Sequence, residues 1–126
     1  MDKDLWISRG DTQPISFYIV DEVGQAVDLT GATAVLYGIR DTSFYGQTWP
    51  MDAATPDTGQ IDGSTLTIDS DQTSNRGKVS WTPVVADSEA AGTLAAQVKV
   101  TFSGGGIRHY PQRLGDRVIH VGTGLP

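Results

Sequence analysis

Cysteine is absent from all 126 residues. No disulfide can staple the fold, no thiolate can act as a nucleophile, and no cysteine-based zinc site is possible. The chain must stand on packing alone, and its length suits one domain with a modest core. Lysine is scarce: Lys3, Lys78 and Lys99 are the only ones. The arginines are scattered, and only Arg108, Arg113 and Arg117 lie near one another, which reads as a solvated local patch. The net charge of −6 argues against a nucleic-acid groove, whose affinity comes from neutralising phosphates. No stretch approaches the ~18 apolar residues of a membrane span. The acidic opening Met1-Asp2-Lys3-Asp4 leads into no apolar segment of a secretory signal.

Catalytic equipment is also thin. Neutral-pH bases are limited to His109 and His120, both in predicted strands, where surface residues are the simpler reading. No G-x-S-x-G elbow is present, so no nucleophile–base pair can be named. Neither an enzyme nor a bound cofactor is expected.

What the chain does have is alternation. In "ISFYIV" (15–20), Ile15, Phe17 and Ile19 share one face. Gly24 marks a hairpin tip, and a second strand runs from Ala32 to Ile39. Leu66 and Ile68 point inward from "STLTIDS", and Val79 and Trp81 do so from "GKVSWTP". "VVADSEAAG" (84–92) predicts a single helical turn, with Asp87 or Ser88 as cap and Gly92 as its end. The longest strand is "TLAAQVKVTF" (93–102), with Leu94, Ala96, Val98, Val100 and Phe102 inward. Gly104-Gly105-Gly106 turns the chain into "IRHYP" (107–111), and "RVIHV" (117–121) closes the pattern.

These segments predict an all-β chain: one antiparallel β-sandwich, immunoglobulin-like in architecture, of roughly seven to nine short strands. The single domain spans 1–126, with 1–6 as an N-terminal arm and 122–126 as a loose C-terminal tail.

Several motifs suggest chemistry. Arg9-Gly10-Asp11 matches an integrin-binding tripeptide. Yet a strand starts at Ile15, so Gly10 reads as a bend and Asp11 as an acceptor for a local backbone N–H. In Asp28-Leu29-Thr30-Gly31, Asp28 and Thr30 can each bond a nearby backbone amide and Gly31 can take a positive φ. Asp69, Asp71 and Asp62 could gather oxygens for a hard cation, but EF-hand spacing is lacking, and turn-forming aspartates suffice. The glycine triplet precedes a strand and not a helix, so it is a hairpin tip and not a phosphate cradle. Trp81 reads as core, and Trp6, beside Leu5 and Ile7, as packing against the sandwich in an N-terminal strand. Phe44, Tyr45, Trp49 and Met51 cluster in the irregular segment 40–64, with one short strand expected near 48–53. They form either a protein-contact loop or a loop folded over the core.

The order of these words has a likeness. "RGDTQPISFYIVDEVGQAVDLTGATAVLYGIR" (9–40), "GKVSWTP" (77–83) and "DSEAAGTLAAQVKVTFSGGGIRHYP" (87–111) together resemble the N-terminal domain family of phage baseplate upper proteins, and similar small phage virion proteins. The resemblance implies a structural protein of a tailed-phage particle, in its tail, baseplate or neck. Its partners would be other virion proteins and copies of itself, with no nucleic acid and no membrane. Contacts would come from loops and sheet edges, through buried aromatics and backbone pairing. Two alternatives stay open: a decoration protein on the capsid shell, and a carbohydrate- or receptor-binding module built on the loop around Trp49.

Overall fold

The computed structural model describes residues 1–40, 61–88, 92–111 and 116–122. The contact cluster Phe44, Tyr45, Trp49 and Met51, the strand expected near 48–53 and the tail beyond Gly122 lie outside the described residues.

Most of the alternating segments form strands where the pattern predicts them, and one strand, Ile61–Thr65, lies mostly inside the segment read as irregular. Among the described residues there is no α-helix and there are nine strands. They are β1 (Leu5–Ser8), β2 (Ile15–Tyr18), β3 (Thr33–Arg40), β4 (Ile61–Thr65), β5 (Thr67–Ile68), β6 (Lys78–Trp81), β7 (Gly92–Thr101), β8 (Ile107–Tyr110) and β9 (Val118–Gly122). The predicted helical turn is a short 3-10 turn, Val85–Ser88. Asp87 holds it, its carboxylate accepting from the Val84 N–H at 2.8 Å.

The strands make two sheets. The larger has the order β1-β9-β7-β3-β4, and β8 also pairs with β7; the smaller is β2-β6-β5. β7 organises the larger sheet. One of its edges lies along β3 from Leu94 to Thr101. The other edge is shared: Gly92–Ala95 pair with β9, and Val98–Thr101 pair with β8.

Gln97 sits at the junction of those two partners. Its side chain is fully buried, and its Nε2 donates to the Pro111 carbonyl at 3.0 Å. The strand was expected to bury one face only, but Ala95 and Gln97 are buried as well as Leu94, Ala96, Val98 and Val100. The Pro111 carbonyl meets the Gln97 side chain, so the chain just past β8 covers this part of the second face.

One pairing departs from the antiparallel expectation. β1 and β9 run parallel, Leu5 beside Ile119 through Ser8 beside Gly122. The two segments are over a hundred residues apart in sequence, so no hairpin dictates their direction. The expected N-terminal arm is likewise corrected: Met1 and Leu5 are both core residues, and β1 belongs to the sheet.

The inner faces of both sheets share one core. Phe17, Val79 and Trp81 come from the small sheet, and Leu36, Val98, Val100 and Ile119 from the large one, each at most 1 % exposed. Burial of each such side chain contributes about 1.5–3 kcal/mol relative to exposure. Leu66 makes the corner between sheets. Its N–H donates to the Ala34 carbonyl at 2.9 Å, and the next two residues already pair with β6. The β3–β4 ladder slips between Leu36 and Tyr37, and Gly63 at φ +83° is the extra residue. A glycine in the left-handed region suits such a bulge.

One polar side chain ties the loops below the core. Gln72 is buried, and its Oε1 accepts from the Leu29 N–H at 3.0 Å and the Gly77 N–H at 2.9 Å. Its Nε2 donates to the Asp69 carbonyl at 2.7 Å. Three separate turns thus converge on one amide. Gly77 is required there, since a Cβ would stand 2.7 Å from the Ile19 carbonyl and φ is +81°.

Candidate functional site

The strand β1 alternates buried and exposed, so Leu5 and Ile7 point into the core and Trp6 points out. Trp6 is 73 % exposed. The expectation that it packs against the body is therefore corrected; it stands on the outer face of the larger sheet. The parallel register sets Trp6 beside His120. Their rings stack with centroids 3.7 Å apart and planes 18° from parallel. Thr93 follows in the same row, paired with His120 across β9 and β7. Asp4 Oδ2 lies 3.8 Å from His120 Nε2, while Asp4 Oδ1 accepts from the Val118 N–H at 3.1 Å. Asp4 is thereby fixed to β9 and faces the imidazole.

A shallow cleft of about 440 Å³ opens beside the stack, lined by Trp6, Ser8, Asp11, Gly92, Thr93 and His120 among others. Its rim includes the Arg9-Gly10-Asp11 turn. There the Asp11 N–H donates to the Ser8 carbonyl at 3.0 Å, and Asp11 Oδ2 accepts from the Ser8 N–H at 2.7 Å. Gly10 has φ +85°. The carboxylate that an integrin would need is tied to its own turn.

This turn also governs a sheet edge. Arg9 N–H reaches back to Gly122, so by alternation the amides of Trp6 and Ser8 face away from β9. Asp11 occupies both outward groups of Ser8. The smaller sheet is treated alike. At the open edge of β2, the Asp2 N–H donates to the Tyr18 carbonyl at 2.8 Å, and Asp2 Oδ1 accepts from the Tyr18 N–H at 2.9 Å. Short edges blocked by acidic side chains resist pairing with other chains.

The remaining aspartates work within their own turns. Asp28 Oδ1 accepts from the Thr30 hydroxyl at 2.7 Å and the Thr30 N–H at 3.1 Å, and these bonds hold its pKa below the ordinary value. Gly31 follows at φ +71°. Asp21 Oδ1 accepts from Val23 and Gln25 around the Gly24 tip. Asp69 Oδ1 accepts from the Asp71 N–H, and Asp71 Oδ1 from the Ser74 N–H. The bonds from Ser74, backbone first and then hydroxyl, lower the Asp71 pKa. Asp62 lies in β4, a different sheet from the Asp69–Asp71 turn. Among the described residues no group of three or more His, Asp or Glu is placed to hold a metal ion.

The two histidines are not brought together. His109 lies on β8 opposite Lys99, whereas His120 is on β9. Arg117 is half-buried rather than part of a solvated patch. Its Nε donates to the Met1 carbonyl at 3.2 Å, and its Nη1 to the Asp116 carbonyl at 2.7 Å. A second cleft, of about 590 Å³, is lined there by Met1, Tyr110, Pro111 and Arg117 among others. Burial, and then the nearby Arg117 charge, lower the pKa of the Met1 amine from 8.0 to about 5.

Sequence reasoning missed the Trp6–His120 stack. The signal for it was available, because the same alternation that buries Leu5 and Ile7 sends Trp6 outward. No protein-family model matches the chain, and no curated protein is found to be similar to it.

Proposed function

We propose that this chain is a structural protein of a tailed-bacteriophage virion, placed in the tail, baseplate or neck and acting through protein–protein contacts. It is made in the bacterial host, and its partners are other virion proteins and further copies of itself. An immunoglobulin-like arrangement of the two sheets belongs to the same reading. Support comes from the resemblance of residues 9–40 and 77–111 to the baseplate upper protein family, and from an all-β body that fits such a part.

The observation that carries the proposal is how the polar side chains are used. Asp11, Asp21, Asp28, Asp69 and Asp71 all accept backbone N–H groups within their own turns. Such turns fix strand register and give a rigid outer surface. The blocked edges of β1 and β2 favour contact through faces and loops over strand addition.

Quantitative mass spectrometry of purified particles tests the proposal. The chain is expected in on the order of a few to a few dozen copies per particle, following tail symmetry. Hundreds of copies would make it a shell decoration protein instead. Its absence from particles would overturn the virion reading.

A further inference from the structure

We infer that the cleft beside Trp6 binds a neutral saccharide, with the indole as the platform for one sugar ring. The inference goes beyond the virion reading and is independent of it, since it concerns what the isolated chain binds.

A pyranose presents two kinds of surface. Its axial C–H groups make an apolar face, and its hydroxyls make a polar rim. A matching site needs a flat aromatic ring open to solvent, with hydrogen-bonding groups beside it and room for the sugar. All three are present. Trp6 is 73 % exposed although one of its faces lies against His120, so the opposite face is open. The stack also fixes the plane of the indole, which lowers the ordering cost of binding. Thr93 and Ser8 bring hydroxyls to the cleft, and Asp11 brings a carboxylate. That carboxylate accepts from the Ser8 N–H through Oδ2. Gly92 widens the floor, since a Cβ there would meet nothing within 4 Å. The volume of about 440 Å³ falls within the range of small-ligand clefts, roughly 300–1,000 Å³.

The surroundings of Trp6 favour a sugar over a protein partner. A protein hot spot is ringed by contacts that exclude water. The cleft is instead open to solvent beside Trp6, and Ser8, Asp11, Thr93 and His120 bring polar side chains to it. The exposed Ile107 shares the outer face but pairs with Thr101, at the opposite end of β7 from Thr93. Eight residues of strand separate those rows, about 27 Å at the usual rise. The acidic rim and the chain's net charge of −6 disfavour phosphorylated or carboxylated sugars, so the ligand class is neutral.

The test is an NMR titration of the isolated chain with neutral oligosaccharides of glucose, galactose and N-acetylglucosamine. The Trp6 indole N–H and the Gly92 and Thr93 amides are followed. At least one sugar series is expected to give saturable shifts at these positions. Trp6→Ala weakens that binding by about tenfold or more, Trp6→Phe keeps part of it, and Thr93→Lys blocks the cleft. All three variants keep the parent's urea midpoint to within a small shift, because the side chains changed lie outside the core. No saturable shift with any of these sugars at tens of millimolar overturns the inference. So does binding that survives Trp6→Ala. Self-association that Trp6→Ala abolishes, without sugar binding, overturns it in favour of a protein interface.

Discussion

Replacing Gln72 with methionine keeps the length and volume of the side chain and removes all three of its hydrogen bonds. Two backbone N–H groups, of Leu29 and Gly77, lose their acceptor, and the Asp69 carbonyl loses its donor. Leu29 and Gly77 are both buried, so water cannot replace the lost acceptor without opening the turns. Each orphaned buried group costs about 1–3 kcal/mol. With some relaxation, the total should be about 3–5 kcal/mol, a large share of the 5–15 kcal/mol typical of a domain. Gln72→Glu separates the acceptor and donor roles. Its carboxylate still accepts from Leu29 and Gly77, but it meets the Asp69 carbonyl with no proton to give. It should cost less than methionine at neutral pH, and its deficit relative to the parent should shrink as acid protonates the side chain. Urea unfolding followed by the fluorescence of buried Trp81 reads all of this. A Gln72→Met midpoint indistinguishable from the parent would refute the reasoning that these turns are held by one amide.

Other outcomes follow from the same geometry. Gly77→Ala places a Cβ 2.7 Å from the Ile19 carbonyl at a positive φ, so it should cost at least ~2 kcal/mol, well above Gly10→Ala, where nothing lies within 4 Å; urea midpoints of the two variants compare them. The Met1 amine has its folded pKa depressed to about 5 from 8.0, so the folded chain stays neutral there while the unfolded chain takes up a proton. Stability is therefore unaffected above pH 8, falls by ~1.4 kcal/mol per pH unit below it and levels off near pH 5, a slope that acetylating the amine should remove. Asp28 and Asp71 have depressed pKa values, so their contribution is present above the ordinary carboxylate range and is lost as pH falls through the folded values; Asp28→Asn, which still accepts from Thr30, should flatten the acid limb of a thermal-melt series. Asp11→Ala removes the carboxylate acceptor and frees the outward Ser8 N–H on β1, while the backbone bond to the Ser8 carbonyl remains; it should raise self-association by size-exclusion chromatography at high concentration.

Much of this fold was legible because period-two burial is a local signal. Ile15, Phe17 and Ile19 share a face in the sequence, and the last two are almost fully buried. Gly24 was legible as a turn for the same local reason, and it has φ +83°. What escaped was long-range. The parallel β1–β9 pair joins residues near opposite ends of the chain, and no local pattern records direction across such a distance. Gln97 and Ala95 looked solvent-facing because alternation assigns one face to water, and only the folded chain, where the Pro111 carbonyl meets Gln97, reveals otherwise. Gln72 carried no sequence signal, since a glutamine in a polar turn looks like any other until three turns meet on it. Trp6 is different in kind. Its exposure follows from the alternation of β1, which overrides the hydrophobicity of the side chain.

The central claim is that this two-sheet body is a tail-side part of a phage particle and works by the surface it presents. Imaging the intact particle at side-chain resolution tests it most directly. The account predicts the chain in the tail, baseplate or neck, meeting its neighbours through faces and loops with the β1 and β2 edges unpaired. Density for the chain on the head shell, or particles complete without it, would contradict the account.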